Sequence, residues 1–293
     1  MSIYNKESPH FGSVEVYKEK NPLLYKFATS KAILTGIVAW VVVGFIGWVL
    51  IVLGYQTWTT AIIGPAVSAQ RVFWALIGDL LWAPPLVALA WRIHFGRPAW
   101  TAPKGRWVPG KYYPIFSPYN VVGIAVMVAS VTALAGTTYT GVPLTDLAWF
   151  LGVMWFGPVV GTIAGVFAPW TRSAVWGVYP GWPPPNWMLI EMVSMSSIPI
   201  FYWLLVEGAR AKGKSLYPPM IVAMVLTNLE QRFVASVLTD VIEYPIPALY
   251  ASFAGQISRA ITDIVVYLIA FLAAEAVLAT VVGTKREQKA RAQ

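Results

Sequence analysis

The sequence predicts an all-α polytopic membrane protein, and three observations carry this prediction. Of the 293 residues, 57% are hydrophobic and only 12% are charged, whereas a soluble domain carries about 25% charged residues. Apolar runs long enough to cross a hydrocarbon core of about 30 Å recur along the chain. Cysteine is absent and only two histidines occur, which argues against a thiol nucleophile, a disulfide scaffold and a histidine-based metal centre.

The N-terminal part of the chain contains two candidate spans. The first runs from Lys31 to Gly54, and the second runs from Arg71 to about Ile93 and is interrupted by Pro84-Pro85. A stretch rich in proline, aromatic and basic residues follows, and its lack of helical periodicity is typical of a linker. We therefore expect a cytoplasmic N-terminal segment plus two transmembrane helices in residues 1–96, and a cytoplasmic linker in residues 97–118.

Six further spans are predicted after the linker, in residues 119–283. The stretch Pro143–Gly177 is too long for one comfortable span and too short for two generous ones. Either it crosses the membrane once, or it forms a two-span hairpin that turns at Gly157-Pro158. The clear apolar runs on either side of it are Tyr119–Tyr139, Trp187–Val206, Pro219–Ile242 and Gly255–Val282.

The positive-inside rule favours the hairpin, because Lys and Arg collect on the cytoplasmic side of membrane proteins. With a hairpin, 17 of the 21 Lys and Arg residues lie on the side of the N-terminus. The sequence thus predicts eight spans, two cytoplasmic termini, a basic tail at residues 284–293, and a multi-pass protein of a prokaryotic plasma membrane. The four basic residues that the rule does not explain are Arg71, Arg172, Arg232 and Arg259.

Two series of small residues recur at four-residue spacing, which places each series on one face of a helix. A face of small residues lets a second helix approach closely. We assign the glycine series to helix packing, whereas the alanine series either packs inside the bundle or docks a partner helix. The two series are Gly157, Gly161 and Gly165, and Ala125, Ala129 and Ala133.

Polar side chains within the later spans predict a ligand pocket that opens to the exterior. An ionisable group at membrane depth costs roughly 2.5–3.5 kcal/mol, so each one needs a partner or a purpose. The alternative is a set of buried ion pairs that lock the bundle, with the tryptophans as interfacial belt residues rather than rings that stack on a ligand. The candidate ligand-binding residues are Glu191, Arg232, Asp240, Gln256, Arg259, Asp263, Trp182 and Trp187.

Taken in order, the features of residues 119–282 resemble the substrate-binding S component of an energy-coupling factor (ECF) vitamin transporter. The resemblance rests on the alanine-stepped helix, the Gly-Pro-x-x-Gly-x-x-x-Gly run, the aromatic and Pro/Gly loop Val178–Asn186, and six spans with cytoplasmic ends. The chain departs from the family in its two extra N-terminal spans. It also has Ala168-Pro169-Trp170 where many members carry an acidic residue.

The resemblance implies a six-helix bundle, preceded here by two additional transmembrane helices, that captures a small water-soluble vitamin or related micronutrient from outside. It further implies a coupling transmembrane protein, which would dock on the alanine face, and ATPase subunits. Arg232 and Arg259 would hold an anionic ligand group, and Glu191 or Asp240 a cationic one. The sequence contains no phosphate-binding Gly-x-x-x-x-Gly-Lys-Ser/Thr loop, so the chain is not expected to hydrolyse ATP itself.

Two alternatives from other functional classes stay open. One is a non-catalytic scaffold subunit of a larger respiratory or oxygenase-type membrane complex, which the N-terminal extension and the Pro/Trp-rich linker suit. The other is a stand-alone secondary transporter that uses protonation of Asp or Glu. No catalytic motif is visible, so we expect no enzyme activity, cofactor or nucleic-acid partner, and membrane lipid as the surrounding partner.

Overall fold

The structure is a computed structural model that describes residues 18, 22–62, 69–96, 118–135, 137, 144–176, 192, 195–211, 214–229 and 246–282. All secondary structure in these residues is helical, which confirms the predicted all-α class. We number the helices in chain order. They are α1 (Pro22–Thr29), α2 (Lys31–Ile62), α3 (Ala69–Gly96), α4 (Pro118–Leu134), α5 (Leu144–Phe156), α6 (Pro158–Trp176), α7 (195–211), α8 (Tyr217–Asn228) and α9 (Ile246–Val282).

The N-terminal pair α2 and α3 packs around a proline site. The predicted interruption at Pro84-Pro85 is wrong, because α3 continues through both residues. Pro85 has no N–H with which to reach the carbonyl of Leu81, four residues earlier. Gly44 of α2 lies against that carbonyl oxygen, where any Cβ would collide. The close approach of α2 therefore covers the carbonyl that the proline leaves without a helical donor.

Helices α4 and α5 run antiparallel. At one end of the pair, the Phe156 ring lies 2.7 Å from the position of a Cβ on Gly123. At the other end, the Thr145 hydroxyl donates to the Leu134 carbonyl oxygen at 3.0 Å. The start of one helix thus meets the end of the other, as expected for neighbours joined by a short connection.

The chain reverses at the predicted hairpin position. Gly157 separates α5 from α6 and has φ of 93°, a conformation that glycine adopts without steric cost. A Cβ on Gly161 would lie 3.1 Å from Val153, although residues eight apart on a continuous helix are about 12 Å apart. Farther along, the Thr171 hydroxyl lies 2.8 Å from that of Thr132 in α4. Helix α6 therefore runs back beside α4.

Helix α7 packs antiparallel on α6 through two members of the glycine series, Gly161 and Gly165. The helix-packing assignment is wrong for the third member, Gly157, because this residue forms the turn before α6. A Cβ on Gly161 would lie 2.9 Å from Pro199, and one on Gly165 would collide with the Met195 carbonyl oxygen. Both glycines thus lie in a helix–helix contact, which is the packing role that the sequence predicts for them. The second half of α7 contains a π-helical turn, Tyr202–Glu207.

Helix α9 completes the core beside α5 and α7. The Phe150 ring of α5 meets Tyr267 at a centroid distance of 6.1 Å, and Tyr202 of α7 meets Phe271 at 6.2 Å. The helix begins at Ile246, nine residues before the predicted start. Its 37 residues correspond to about 55 Å of helix, which exceeds one membrane crossing.

The surface of the described bundle is largely apolar, whereas several polar side chains are buried, among them Thr162, Ser196 and Glu207. One described segment, Ala260–Val277 of α9, has the length and composition of a membrane crossing. Six shorter apolar helical segments of 10–17 residues accompany it. The bundle is therefore established, and the eight membrane crossings stay a prediction.

Candidate functional site

Three ionisable side chains from three helices meet at one end of the bundle. Asp146 lies in the first turn of α5, Arg172 lies in the last turns of α6, and Asp263 lies in α9. Asp146 is close enough to both other residues to interact with them electrostatically. All three side chains are half-buried. We call this group the Asp–Arg–Asp cluster.

The helix directions explain why these three residues meet. Because α5 runs antiparallel to α6, the start of α5 and the end of α6 lie at the same end of the bundle. The same end receives the Thr132–Thr171 hydroxyl pair. An acidic residue in the first turn of a helix is also favoured by the positive end of the helix dipole. The chain reversal at Gly157 thus brings Asp146 and Arg172 to the same end of the bundle, where α9 adds Asp263.

A second polar group lies toward the other end of α9. The Tyr202 hydroxyl donates to Glu207 Oε1 at 2.8 Å and lies 3.5 Å from Glu275 Oε1. Glu207 is completely buried. Residues five apart point in different directions on an α-helix, and the wider π-helical turn brings Tyr202 and Glu207 together. We call these three residues the Tyr–Glu–Glu cluster.

A stripe on α9 connects the two clusters. Its residues recur every four positions, so they share one face of the helix. Its ends are acidic and its middle is aromatic, and its two ends, 12 positions apart, are separated by about 18 Å. The aromatic middle packs against Phe150 and Tyr202. The stripe consists of Asp263, Tyr267, Phe271 and Glu275.

Only part of the predicted ligand pocket falls within the described structure. Asp263 is placed in the Asp–Arg–Asp cluster. Gln256 and Arg259 lie in α9 before Asp263, but their side chains are outside the described part. The remaining candidates lie outside the described residues: Glu191, Arg232, Asp240, Trp182 and Trp187.

The alanine series lies on an uncovered face of α4. Ala125, Ala129 and Ala133 are all exposed, whereas Met127 and Val131 on the other side of the helix are buried in the core. Within the described residues, this face is therefore accessible to another helix or to lipid.

Sequence reasoning did not assign Asp146, Arg172, Tyr202 or Glu207 to a site. Asp146 lies at the edge of the ambiguous stretch, and Glu207 follows directly after the predicted end of its span. The four-residue recurrence from Asp263 to Glu275 was the available signal, because it continues the face shared by Arg259 and Asp263.

The Asp–Arg–Asp cluster offers recognition groups of both signs. Carboxylates accept hydrogen bonds, and a guanidinium donates from a planar fork that suits carboxylate or phosphate groups. A small ligand with both donor and acceptor groups fits such a site.

Comparisons of the chain with family models, with curated proteins and with solved structures find no match.

Proposed function

We propose that the chain is the membrane-embedded substrate-capture subunit of an ATP-driven, ECF-type importer for a small water-soluble vitamin or related micronutrient. The observation that carries the proposal is the Asp–Arg–Asp cluster, in which three helices bring charged side chains together at one end of an apolar bundle. Ionisable groups in membrane domains are costly and commonly mark ligand pathways. In the predicted topology this end of the bundle faces the exterior.

The outward faces of the helices support a membrane environment. On α2, Val38, Val42, Ile46 and Leu50 follow one another at four-residue spacing, and each is 46–62% exposed. Soluble monomers rarely expose continuous apolar patches of this kind. The same spacing recurs on the exposed face of α9, in Ile257, Ile261, Val265 and Ile269.

A layer of buried aromatic side chains lies beneath the cluster and favours ligand capture over an open channel. Phe150 and Phe271 are each 1% exposed, and they lie between the two polar clusters. A ligand held at the Asp–Arg–Asp cluster meets this layer before it can reach the other end. Its release therefore needs a conformational change, which the proposal assigns to the coupling protein and ATPase subunits that dock on the alanine face.

The test measures ligand binding by the purified chain. Mass spectrometry of the small molecules that it retains in detergent identifies the ligand, and titration then measures its affinity without ATP. Arg172→Ala and Asp263→Asn should both weaken binding. Thr262→Ala is the matched control, because Thr262 lies beside Asp263 on the exposed side of α9. Wild-type affinity in both cluster variants would exclude this site.

The Tyr–Glu–Glu cluster favours a second candidate, the stand-alone secondary transporter. A buried carboxylate beside a tyrosine hydroxyl and a second carboxylate is typical of intramembrane proton relays. The two candidates differ in reconstituted vesicles. Accumulation of the identified ligand by the chain alone under an imposed proton gradient supports the secondary transporter, whereas the capture subunit binds the ligand without accumulating it.

A further inference from the structure

Helix α1 is fixed to the end of α3 by two contacts. An Arg92 guanidinium nitrogen of α3 donates to the Phe27 carbonyl oxygen. The Phe27 ring also packs on Trp91 at a centroid distance of 4.6 Å, and Ala28 is buried beside it. Helix α1 is therefore part of the packed structure, and its orientation relative to α2 and α3 is defined.

The other face of α1 is exposed and carries both a basic and an aliphatic side chain. Lys26 is exposed, and Leu23 is 79% exposed. They are three residues apart, so they lie on the same side of the helix. Lys31 is also exposed, at the first position of α2. Within the described part of the chain, neither lysine has an acidic partner.

We infer that this outward face of α1, together with Lys31, binds the headgroups of anionic phospholipids. The inference rests on the membrane location contained in the proposed function. Helix α2 leads from Lys31 directly into the exposed apolar series that begins at Val38, about 10 Å farther along the axis. If that series faces acyl chains, the two lysines lie at the level of the headgroups.

The chemistry of the face matches such a surface. Lys26 and Lys31 complement the negative charge of an anionic leaflet, and Leu23 can enter the boundary between headgroups and acyl chains. Lysine stems also lie along apolar surfaces while the ammonium groups reach polar ones. The described residues 22–62 contain no Asp or Glu, so no acidic side chain in this segment opposes the attraction.

Arg92 acts as a positioning residue. It does not need to touch lipid, because its contact with Phe27 fixes the direction in which α1 presents Lys26 and Leu23. Arg92→Gln should therefore reduce lipid selectivity although both lysines remain. If the lysines only oriented the chain in the membrane, their effect on lipid selectivity would not depend on Arg92.

The experiment uses the full chain in detergent with equimolar phosphatidylglycerol and phosphatidylcholine of identical acyl chains. Native mass spectrometry counts the lipids of each kind that remain bound. The wild type should retain phosphatidylglycerol preferentially. Each lysine removed should lower the preference about fivefold, so that Lys26→Gln/Lys31→Gln shows a drop of about 25-fold. Lys214→Gln is the control, because Lys214 is an exposed lysine before α8, and it should change the ratio less than twofold.

The possible results distinguish failure of the lipid surface from failure of the membrane location. An unchanged lipid ratio in the double variant, or an equal drop in Lys214→Gln, overturns the lipid surface. Helical circular dichroism of each variant shows whether it is folded, and Leu23→Ala provides a second variant of the same face that keeps both charges. A wild-type chain that stays monodisperse without detergent overturns the membrane location and with it the proposed function. Detergent dependence without lipid preference overturns the lipid surface alone.

Discussion

The two polar clusters lie toward opposite ends of one α9 stripe and differ in both charge and access. The Asp–Arg–Asp cluster combines both signs of charge on three half-buried side chains. The Tyr–Glu–Glu cluster places a completely buried carboxylate against a tyrosine hydroxyl. A site that exchanges ligand with water must be reachable from water, and only the first cluster has this property in all of its members.

Because the two clusters differ in access to water, we expect one of them to affect ligand binding and the other to affect the stability of the fold. A partly exposed mixed-charge site can give up its hydration for a ligand and recover it afterwards. A buried carboxylate that loses its hydrogen bond cannot recover it from water, so the cost falls on the folded state. The first cluster should therefore control ligand affinity, and the second should control the stability of the bundle.

Arg172→Ala tests the first half of this comparison and should have the largest effect. A hydrogen bond to a charged group contributes about 1.5–3 kcal/mol, so we expect ligand affinity to fall by roughly tenfold or more. Isothermal titration with the identified ligand measures it. Tyr202→Phe, at the other end of the stripe, should change affinity less than twofold, and an equal loss in both variants contradicts the separation of the two clusters.

Gly165→Leu tests whether the packing contact between α6 and α7, which lies between the two clusters, stabilises the bundle that carries them. A side chain at Gly165 collides with the backbone of α7 at Met195, and overpacking of this kind costs up to about 3 kcal/mol. Thermal unfolding in detergent should show a clear loss of stability. Gly36→Ala is the control, because no atom lies within 4 Å of a Cβ there, and alanine should stabilise α2 slightly. Equal melting temperatures for Gly165→Leu and wild type would mean that this contact does not hold the bundle.

Tyr202→Phe tests the second half of the comparison. It removes the hydroxyl that donates to Glu207 and leaves the ring packed on Phe271. Leaving a buried acceptor without this donor should cost about 1–2 kcal/mol, measured by denaturant or thermal unfolding. Tyr217→Phe removes a hydroxyl from an exposed tyrosine and should have no measurable effect. A comparable loss in both variants would show that the Tyr202 hydrogen bond contributes nothing specific.

The helical class and the chain reversal were predictable because they depend on local chemistry. Apolar composition predicted the helices, and charge distribution placed a turn at Gly157, where the structure has a left-handed backbone conformation. The continuous helix through Pro84-Pro85 was not predictable from the prolines themselves. The continuous helix is accompanied by the close approach of Gly44 to the Leu81 carbonyl, which is a tertiary contact without a local sequence signal.

The site was predicted less completely than the fold. Asp263 was identified because it follows Arg259 by one helical turn in an apolar segment. Asp146, which interacts with both Asp263 and Arg172, comes from another helix, and its proximity to Arg172 depends on the antiparallel order of α5 and α6. The Tyr202–Glu207 hydrogen bond could not be predicted for a different reason. Residues five apart do not make contact in an α-helix, and the π-helical turn brings these two together.

Ala129→Leu extends the comparison to a surface that contacts neither cluster, and it should have the smallest effect on the isolated chain. Ala129 is exposed on α4, so a larger apolar side chain should change stability by less than about 0.5 kcal/mol and leave ligand affinity unchanged. If the alanine face docks a coupling protein, the same variant should abolish ATP-dependent uptake in cells, because the leucine prevents close helix approach. Val42→Leu adds the same bulk at an exposed position of α2, away from the alanine face, and as the control it should keep uptake. Full uptake by Ala129→Leu would mean that no partner helix packs closely on this face, since normal binding and stability exclude damage to the chain itself.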